Sequence, residues 1–194
     1  MKEFEKIALF DMDGTLCDYA NALISALNSL KSPMEPEITE VPYDNAPKYL
    51  QKRTYLITSS IEWWQNLPKL QLGFEILSYI ERYGYTIMIL SQGPKRNANA
   101  WTGKKKWIDE NLGQDVNITL TRDKGLVYGK ILVDDWPDYI IRWLKWRPRG
   151  LVVMPANSLN KDFKHPQVIR YDGSEESKEK LHNKLEKIEE EMAL

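Results

Sequence analysis

Residues 6–16, KIALFDMDGTL, point to the architecture of this chain more directly than any other stretch. Lys6 to Phe10 are a short apolar run, which is typical of a buried strand. The run stops at two carboxylates, Asp11 and Asp13, and a Gly-Thr turn. In an open α/β sheet, ligands bind at the carboxyl ends of the strands. We therefore expect a buried strand that delivers acidic side chains to such an edge.

Apolar runs and helical stripes alternate along the rest of the chain. This alternation predicts a parallel α/β sheet with right-handed crossovers. Further strands are predicted at Tyr85–Leu90, Val116–Leu120, Ile131–Val133 and Leu151–Met154. The first predicted helix contains Leu23, Ile24, Leu27 and Leu30. The second runs from Leu72 to Tyr83 and is capped by Gly84, and the third lies near Trp101–Leu112. The last has Ser174 as its N-cap and contains Leu181, Leu185, Ile188 and Met192.

Residues 32–70 interrupt this alternation. Four of the ten prolines fall between Pro33 and Pro47, which excludes a long helix or a central strand there. An aromatic-rich segment with Trp63 and Trp64 follows. We predict a catalytic core made of residues 1–31 and 71–194 and a small cap made of residues 32–70.

Composition excludes several classes of protein. Lys and Arg number 27 and Asp and Glu 28, a formal charge of −1, which argues against bulk nucleic-acid binding. A single cysteine, Cys17, allows neither an internal disulfide nor a multi-cysteine zinc site and is expected to be a small buried apolar residue. The apolar runs are shorter than the roughly 18 residues of a membrane helix. The start, MKEFEK, resembles no targeting peptide. We expect a cytoplasmic protein without a membrane partner.

Polar side chains follow three of the predicted strands. Asp11 and Asp13 follow the first, Ser91 the second, and the pair Asp134 and Asp135 follows Ile131–Val133. Clustered carboxylates repel one another and need a hard cation, and Mg²⁺ fits because it uses few carboxylates. The distal ligands of a helix-loop-helix calcium site are absent. Asp and Gly also mark ordinary turns, but a second acidic pair after another strand favours a functional site.

These motifs resemble those of a known superfamily. DMDGTL at 11–16, Ser91, Lys124 and VDD at 133–135 are similar, in order, to the four motifs of the haloacid dehalogenase superfamily. Within it, TRDKGLVYGKILVDDWPD (121–138) and GKKKWIDENLG (103–113) resemble the 5'(3')-deoxyribonucleotidase family. The resemblance implies an α/β fold with a Rossmann-like three-layer parallel sheet and a small helical cap.

The resemblance also implies a Mg²⁺-dependent phosphatase. Asp11 would attack phosphorus and form an aspartyl-phosphate, and Asp13 would be the general acid and base. Ser91 would bind a phosphate oxygen and Lys124 would balance charge. The metal ligands would be the Asp11 carboxylate, the Asp13 backbone carbonyl and Asp135. Asp134 would support these ligands without binding the metal itself.

Substrate recognition is less determined by the motifs. Tyr19 would stack on a base or pack beneath the cap. One of the two tryptophans, Trp63 and Trp64, would face the substrate and the other the core. We assign the substrate contact to Trp64. Arg122 would orient substrate or form a surface ion pair. Gln92 departs from the family's Thr-Ser pattern and could reshape leaving-group recognition.

The expected substrates are small phosphate esters, namely deoxyribonucleoside monophosphates. Sugar phosphates, other small metabolites and polynucleotide ends are alternatives, and a non-catalytic binding protein on the same fold is a further one. A homodimer is left open.

Overall fold

A computed structural model describes residues 6–43 and 45–193. In these residues six strands form one sheet in the order β3-β2-β1-β4-β5-β6, and every neighbouring pair is parallel. The strands are β1 (Ile7–Phe10), β2 (Thr86–Gln92), β3 (Asn117–Thr121), β4 (Ile131–Val133), β5 (Leu151–Pro155) and β6 (Val168–Tyr171). The prediction of a Rossmann-like parallel α/β sheet is confirmed.

Helices connect these strands. They are α1 (Tyr19–Ser29), α2 (Lys48–Thr58), α3 (Ile61–Gln65), α4 (Gln71–Arg82), α5 (Ala98–Asn111), α6 (Pro137–Leu144) and α7 (Glu175–Ala193). The predicted N-cap of α7 is confirmed, because the Ser174 hydroxyl accepts a hydrogen bond from the Ser177 backbone N–H. Gly84, just after α4, has φ of +75°, the left-handed conformation that a helix-ending glycine adopts at low cost. The side chain of Met192, predicted for the apolar stripe of α7, lies outside the described residues.

The structure corrects the sequence analysis at three elements. β2 continues through Ser91 and Gln92, predicted as a turn, because both residues pair with β3. The helix α6 and the strand β6 were not predicted. Residues 142–150, RWLKWRPRG, interleave basic and aromatic side chains and begin in α6, where the fully buried Trp143 agrees with the prediction that this segment packs on the core.

The chain divides into two compact units, and the first contains the whole sheet. It consists of Met1–Leu16, Leu70–Gln92 and Asn117–Leu194. Its core includes one face of the sheet packed against α6 through fully or nearly fully buried apolar side chains: Leu9, Leu90, Leu132, Ile140, Trp143, Leu144, Val152 and Met154. The β1-to-β2 and β4-to-β5 crossovers run in opposite directions along the sheet. Right-handed crossovers therefore place α4 and α6 on opposite faces, which gives three layers.

The strand order reverses direction between β1 and β4, the two central strands. At such a switch point, loops diverge from the carboxyl ends of neighbouring strands and leave a crevice. The backbone N–H of Asp11 bonds to the carbonyl of Val133 at 2.8 Å, so the β1 loop begins directly beside the end of β4. This edge is where the predicted acidic residues come together.

The second unit consists of Cys17–Lys69 and Gly93–Val116. It contains α1, α2, α3 and α5, and Cys17 is fully buried, as expected. The predicted cap residues 32–69 are in this unit together with residues 17–31 and 93–116, which were predicted as core. Which of these segments form a separate cap domain stays a prediction.

Across residues 6–43 and 45–193, no helix combines the length and the apolar character that crossing a bilayer requires.

Candidate active site

Three buried carboxylates meet at the carboxyl ends of β1 and β4. Asp11 follows β1, and Asp134 and Asp135 follow β4; one carboxylate oxygen from each lies within 4.8 Å of the others. Asp134 is fully buried, and Asp11 and Asp135 are only 5% and 9% exposed. Of the four carboxylates that follow β1 and β4, the described part of the chain brings together Asp11, Asp134 and Asp135.

Lys124 lies inside this acidic cluster. Its ammonium is 2.9 Å from Asp11 Oδ1 and 2.6 Å from Asp134 Oδ2, and the side chain is 2% exposed. Burial by itself lowers the pKa of Lys124, but the carboxylates of Asp11 and Asp134 outweigh it, and the net effect raises the pKa. Lys124 is therefore a permanent cation between the predicted nucleophile and its neighbour.

An ion pair and hydrogen bonds hold the loop that carries Lys124. Lys124 begins a short 3₁₀ turn, Lys124–Leu126, capped by Asp123, which accepts a hydrogen bond from the Gly125 N–H at 3.0 Å. Asp123 also pairs with Arg142 of α6 at 2.6 Å, and Arg147 donates to the Gly125 carbonyl at 2.8 Å. The position of the lysine is thus set by α6 and the residues after it.

Asp134 and Asp135 have different surroundings. Both oxygens of Asp134 are engaged, Oδ2 by Lys124 and Oδ1 by the Trp136 backbone N–H at 2.9 Å. Burial raises the pKa of Asp134 to about 6, although Lys124 pulls it down. Burial, with the negative charges of Asp134 and Asp11, raises the pKa of Asp135 as well. These contacts of Asp134 fit its predicted role, which is to support the metal ligands without binding the metal itself.

Gly14 allows the two acidic loops to approach each other. It has φ of +77°, and a Cβ at this position would lie 2.5 Å from Asp135 Oδ2. No other L-amino acid would fit without moving that carboxylate. The glycine of DMDGTL therefore serves both the turn and the packing of a predicted metal ligand.

Ser91 and Gln92 are the last two residues of β2. Ser91 is fully buried, and Gln92 is half-buried, with its side-chain carbonyl accepting a hydrogen bond from the Tyr139 hydroxyl. Tyr139 belongs to α6, and its ring lies 4.6 Å from the Lys124 ammonium. Tyr139 thus connects the residue that departs from the family pattern to the central lysine.

Asp13 and Arg122 are more exposed to solvent than the three carboxylates of the acidic cluster. Asp13 is half-buried in the loop after β1, and Arg122 is exposed just after β3. Both belong to the unit that contains the acidic cluster. Their chemical roles stay predictions.

Tyr19, Trp63 and Trp64 form an aromatic cluster within the second unit. The Tyr19 ring stacks on Trp64 with centroids 5.4 Å apart, and Trp63 packs edge-on against both. Trp64 is 4% exposed and donates its indole N–H to the Thr58 carbonyl, whereas Trp63 is half-buried. The ammonium of the buried Lys104 lies 4.9 Å from the Trp64 ring. Substrate contacts from Tyr19 and Trp64 stay predictions.

Three residues near the cluster were missed by the sequence analysis: Tyr139, Asn157 and Asn160. Asn157 and Asn160 follow β5, the strand next to β4, so the rule that ligands bind at strand ends could have singled them out. Tyr139 is one turn into an unpredicted helix, and no local signal marked it.

The acidic cluster fits a hard divalent cation. Its donors are carboxylate oxygens, and Lys124 supplies one positive charge against the three negative charges of ionised Asp11, Asp134 and Asp135. Oxygen ligands with an excess of negative charge suit hard cations such as Mg²⁺ and Ca²⁺.

Comparisons with known proteins agree with this geometry. Residues 5–180 match the model of the family described as 5' nucleotidase, deoxy (pyrimidine), cytosolic type C protein. A protein of Bordetella pertussis strain Tohama I, named "Putative 5'(3')-deoxyribonucleotidase", is 30% identical over 139 residues, covering 68% of this chain and 74% of that protein. A protein of the same name from Bordetella bronchiseptica strain RB50 is 28% identical over the same length and coverage.

A solved structure shares the fold. It is a HAD hydrolase of family IA, variant 3, from Entamoeba histolytica HM-1:IMSS, with a TM-score of 0.51 and 12% sequence identity. The similarity covers 93% of this chain and 99% of that one. At this identity the match shows a common architecture.

Proposed function

The chain belongs to the 5' nucleotidase, deoxy (pyrimidine), cytosolic type C family and is a phosphatase of the haloacid dehalogenase type, and we propose that it hydrolyses deoxyribonucleoside monophosphates through an aspartyl-phosphate. The observation that carries this proposal is the convergence of Asp11, Lys124, Asp134 and Asp135 at the switch point of the sheet. A merely structural role would not require three carboxylates and a lysine to be buried together.

The reaction consists of two displacements at phosphorus. The Asp11 carboxylate attacks, the phosphorus–ester bond breaks, and Asp13 gives its proton to the departing ester oxygen. Asp13 then removes a proton from water, whose oxygen attacks the phosphorus and releases Asp11 and inorganic phosphate. Lys124 holds the attacking carboxylate through its 2.9 Å contact and balances the charge of the phosphoryl oxygens. The Ser91 hydroxyl binds one of those oxygens.

Asp11, the Asp13 carbonyl and Asp135 would hold Mg²⁺. When bound, Mg²⁺ offsets the negative charge of the phosphoryl group and the carboxylates around it. The engagement of both Asp134 oxygens by Lys124 and Trp136 supports assigning the ligand role to Asp135.

We propose that Tyr19 and Trp64 contact the nucleoside part of the substrate. Stacking of a base on an aromatic ring contributes about 1–3 kcal/mol. Tyr19 is half-buried, and Trp64 is 4% exposed. Base contacts from Tyr19 and Trp64 and substrate orientation by Arg122 belong to this proposal.

Phosphate release from a substrate panel tests the proposal. The panel contains deoxyribonucleotides, ribonucleotides, sugar phosphates and an aryl phosphate, each with Mg²⁺ or with EDTA, and Asp11→Asn is the isosteric blank. We expect Mg²⁺-dependent release that is fastest for deoxyribonucleoside monophosphates. Release from sugar phosphates or the aryl ester alone would keep the phosphatase and reject the nucleotide assignment. Release by Asp11→Asn at the wild-type rate would reject the nucleophile.

The location and the assembly state belong to the same proposal. A cytoplasmic location is consistent with the single buried cysteine and the near-neutral charge. The homodimer stays a prediction that light scattering on the purified chain would test.

A further inference from the structure

The loop after β5 makes a direct contact with the acidic cluster. The side-chain N–H of Asn157 donates to Asp135 Oδ2 at 2.9 Å. Asn160, which is fully buried, donates to the backbone carbonyl of Asp135 at 3.2 Å and to that of Pro155 at 2.8 Å. The proposed metal ligand is thus held at its side chain and at its backbone by two asparagines of a neighbouring strand end.

The orientation of the Asn157 amide is fixed by its own loop. Its Oδ1 accepts hydrogen bonds from the backbone N–H groups of Leu159 at 2.9 Å and Asn160 at 3.0 Å. A carbonyl oxygen can accept these bonds and an amide nitrogen cannot, so the nitrogen must face Asp135. The contact with Asp135 is therefore a defined donor–acceptor pair.

Arg170 of β6 holds the two asparagines in place. Its Nε donates to Asn160 Oδ1 at 3.1 Å, and its Nη2 donates to the Asn157 carbonyl at 3.1 Å. Asn160 Oδ1 also accepts the Asn157 backbone N–H at 3.1 Å. The network runs from β6 through the loop after β5 to Asp135 after β4, so three neighbouring strands fix one carboxylate.

We propose that Asn157 is a positioning residue that restricts Asp135 to metal ligation through one oxygen and thereby favours Mg²⁺ over Ca²⁺. The proposal rests on the metal-dependent function proposed above. Asn157 donates to Oδ2 and so occupies one of its lone pairs, which makes Oδ1 the better oxygen for the ion. Mg²⁺ requires near-ideal octahedral geometry, in which the narrow bite of a two-oxygen carboxylate fits poorly, whereas Ca²⁺ accepts carboxylates in either mode.

The test measures metal binding directly, without turnover. Wild type, Asn157→Ala and Ser158→Ala are stripped with EDTA and titrated with MgCl₂ and with CaCl₂ by calorimetry. Ser158 is the exposed next residue of the same loop and serves as the matched control. We expect Asn157→Ala to lose about 10–100-fold in Mg²⁺ affinity, the usual effect of removing a group that orients a metal ligand. Its Ca²⁺ affinity should fall less, so the Mg²⁺/Ca²⁺ affinity ratio narrows, and Ser158→Ala should match wild type.

Three results would overturn the proposal. Unchanged Mg²⁺ affinity in Asn157→Ala rejects it, and so does an equal loss for both ions, which means that Asn157 only supports the loop. Failure of wild type to bind Mg²⁺ rejects both this proposal and the metal-dependent function, whereas the first two results leave that function intact. If Asn157→Ala does not fold, Asn157→Ser takes its place: its hydroxyl oxygen can still accept from the loop, but the side chain is too short to reach Asp135.

Discussion

Replacing Lys124 by methionine tests the electrostatics of the active site. Methionine keeps the length of the side chain and removes the ammonium, which is 2.9 Å from Asp11 and 2.6 Å from Asp134. Both carboxylates then stay buried without their cation. Removing one partner from a buried ion pair costs about 3–5 kcal/mol. At about 2–4 °C per kcal/mol for a chain of this size, we expect the Tm to fall by about 6–20 °C.

The stability loss should depend on pH. Without the ammonium, the pKa values of the buried carboxylates in the folded protein lie above their unfolded values, so the folded state binds more protons than the unfolded state. Stability then rises as pH falls. Burial already raises the pKa of Asp134 to about 6 in wild type. The deficit of Lys124→Met should therefore be largest above neutral pH and shrink toward pH 5.

Thermal unfolding followed by circular dichroism in metal-free buffer measures this effect. Lys180→Met is the control, because it removes a lysine from a mostly exposed pair with Glu176 and should leave the Tm unchanged. Phosphate release should fall by about 10²-fold or more in Lys124→Met, the usual cost of losing a charge-stabilising group. A Tm within about 2 °C of wild type would refute the reasoning, because it corresponds to a loss of less than about 1 kcal/mol. A loss of stability that is the same at all pH values would also refute it.

Three further variants test other parts of the structure. Gly14→Ala should weaken Mg²⁺ binding, measured by calorimetry, because its Cβ would displace Asp135; Gly84→Ala, also at positive φ but with no atom within 4 Å of its Cβ, should destabilise the fold and leave that affinity unchanged. Tyr139→Phe keeps its ring and loses the hydrogen bond to Gln92, which contributes about 1 kcal/mol to stability, so the Tm should fall by about 2–4 °C, and an unchanged Tm in thermal unfolding would contradict a contribution from this contact. Hydrogen bonds from Ser174 lower the pKa of Asp172 to about 2, so wild type loses stability between about pH 4 and pH 2 as this carboxylate takes up a proton. In Asp172→Asn, the free energy of unfolding from chemical denaturation should fall less over this range, and an unchanged dependence on pH would contradict the prediction.

The central strands could be predicted because their side chains are buried on both faces. β4 was predicted with its exact bounds, and β1 and β5 to within one residue, since each is a continuous apolar run. β6 has no such run: it is an edge strand whose Val168, Ile169 and Arg170 are only half-buried. An edge strand needs no uniformly apolar sequence, and its pairing with β5 is a long-range contact that local patterns do not encode.

The helix α6 was missed for a different reason. Pro137 at its first turn and the buried residues Ile140, Trp143 and Leu144 are signals of an amphipathic helix. The tryptophans and basic residues of 142–150 are interpreted from the sequence as packing beside the sheet, without a helix being assigned to them. The side chains that α6 supplies, Tyr139 and Arg142, consequently did not enter the predicted site.

The acidic members of the site could be predicted and the groups that hold them could not. Asp11, Asp134 and Asp135 each follow an apolar strand, and parallel strands bring their carboxyl ends to one edge. The contact of Asn157 with Asp135 depends on which strand lies beside β4 and on the path of one loop. Neither is expressed in spacing or composition.

The pairing of β1 with β4 has a consequence for the order in which this enzyme becomes active during its synthesis. The proposed nucleophile, Asp11, emerges from the ribosome early, its lysine and acidic neighbours much later, and the asparagines and arginine that hold them later still. Until β4 inserts beside β1, a nascent chain holds an aspartate without the groups that make it reactive. Pairing of segments so distant in sequence must first offset a large loop-closure entropy. We therefore expect the partly made protein to be inert toward phosphate esters until β4 pairs with β1.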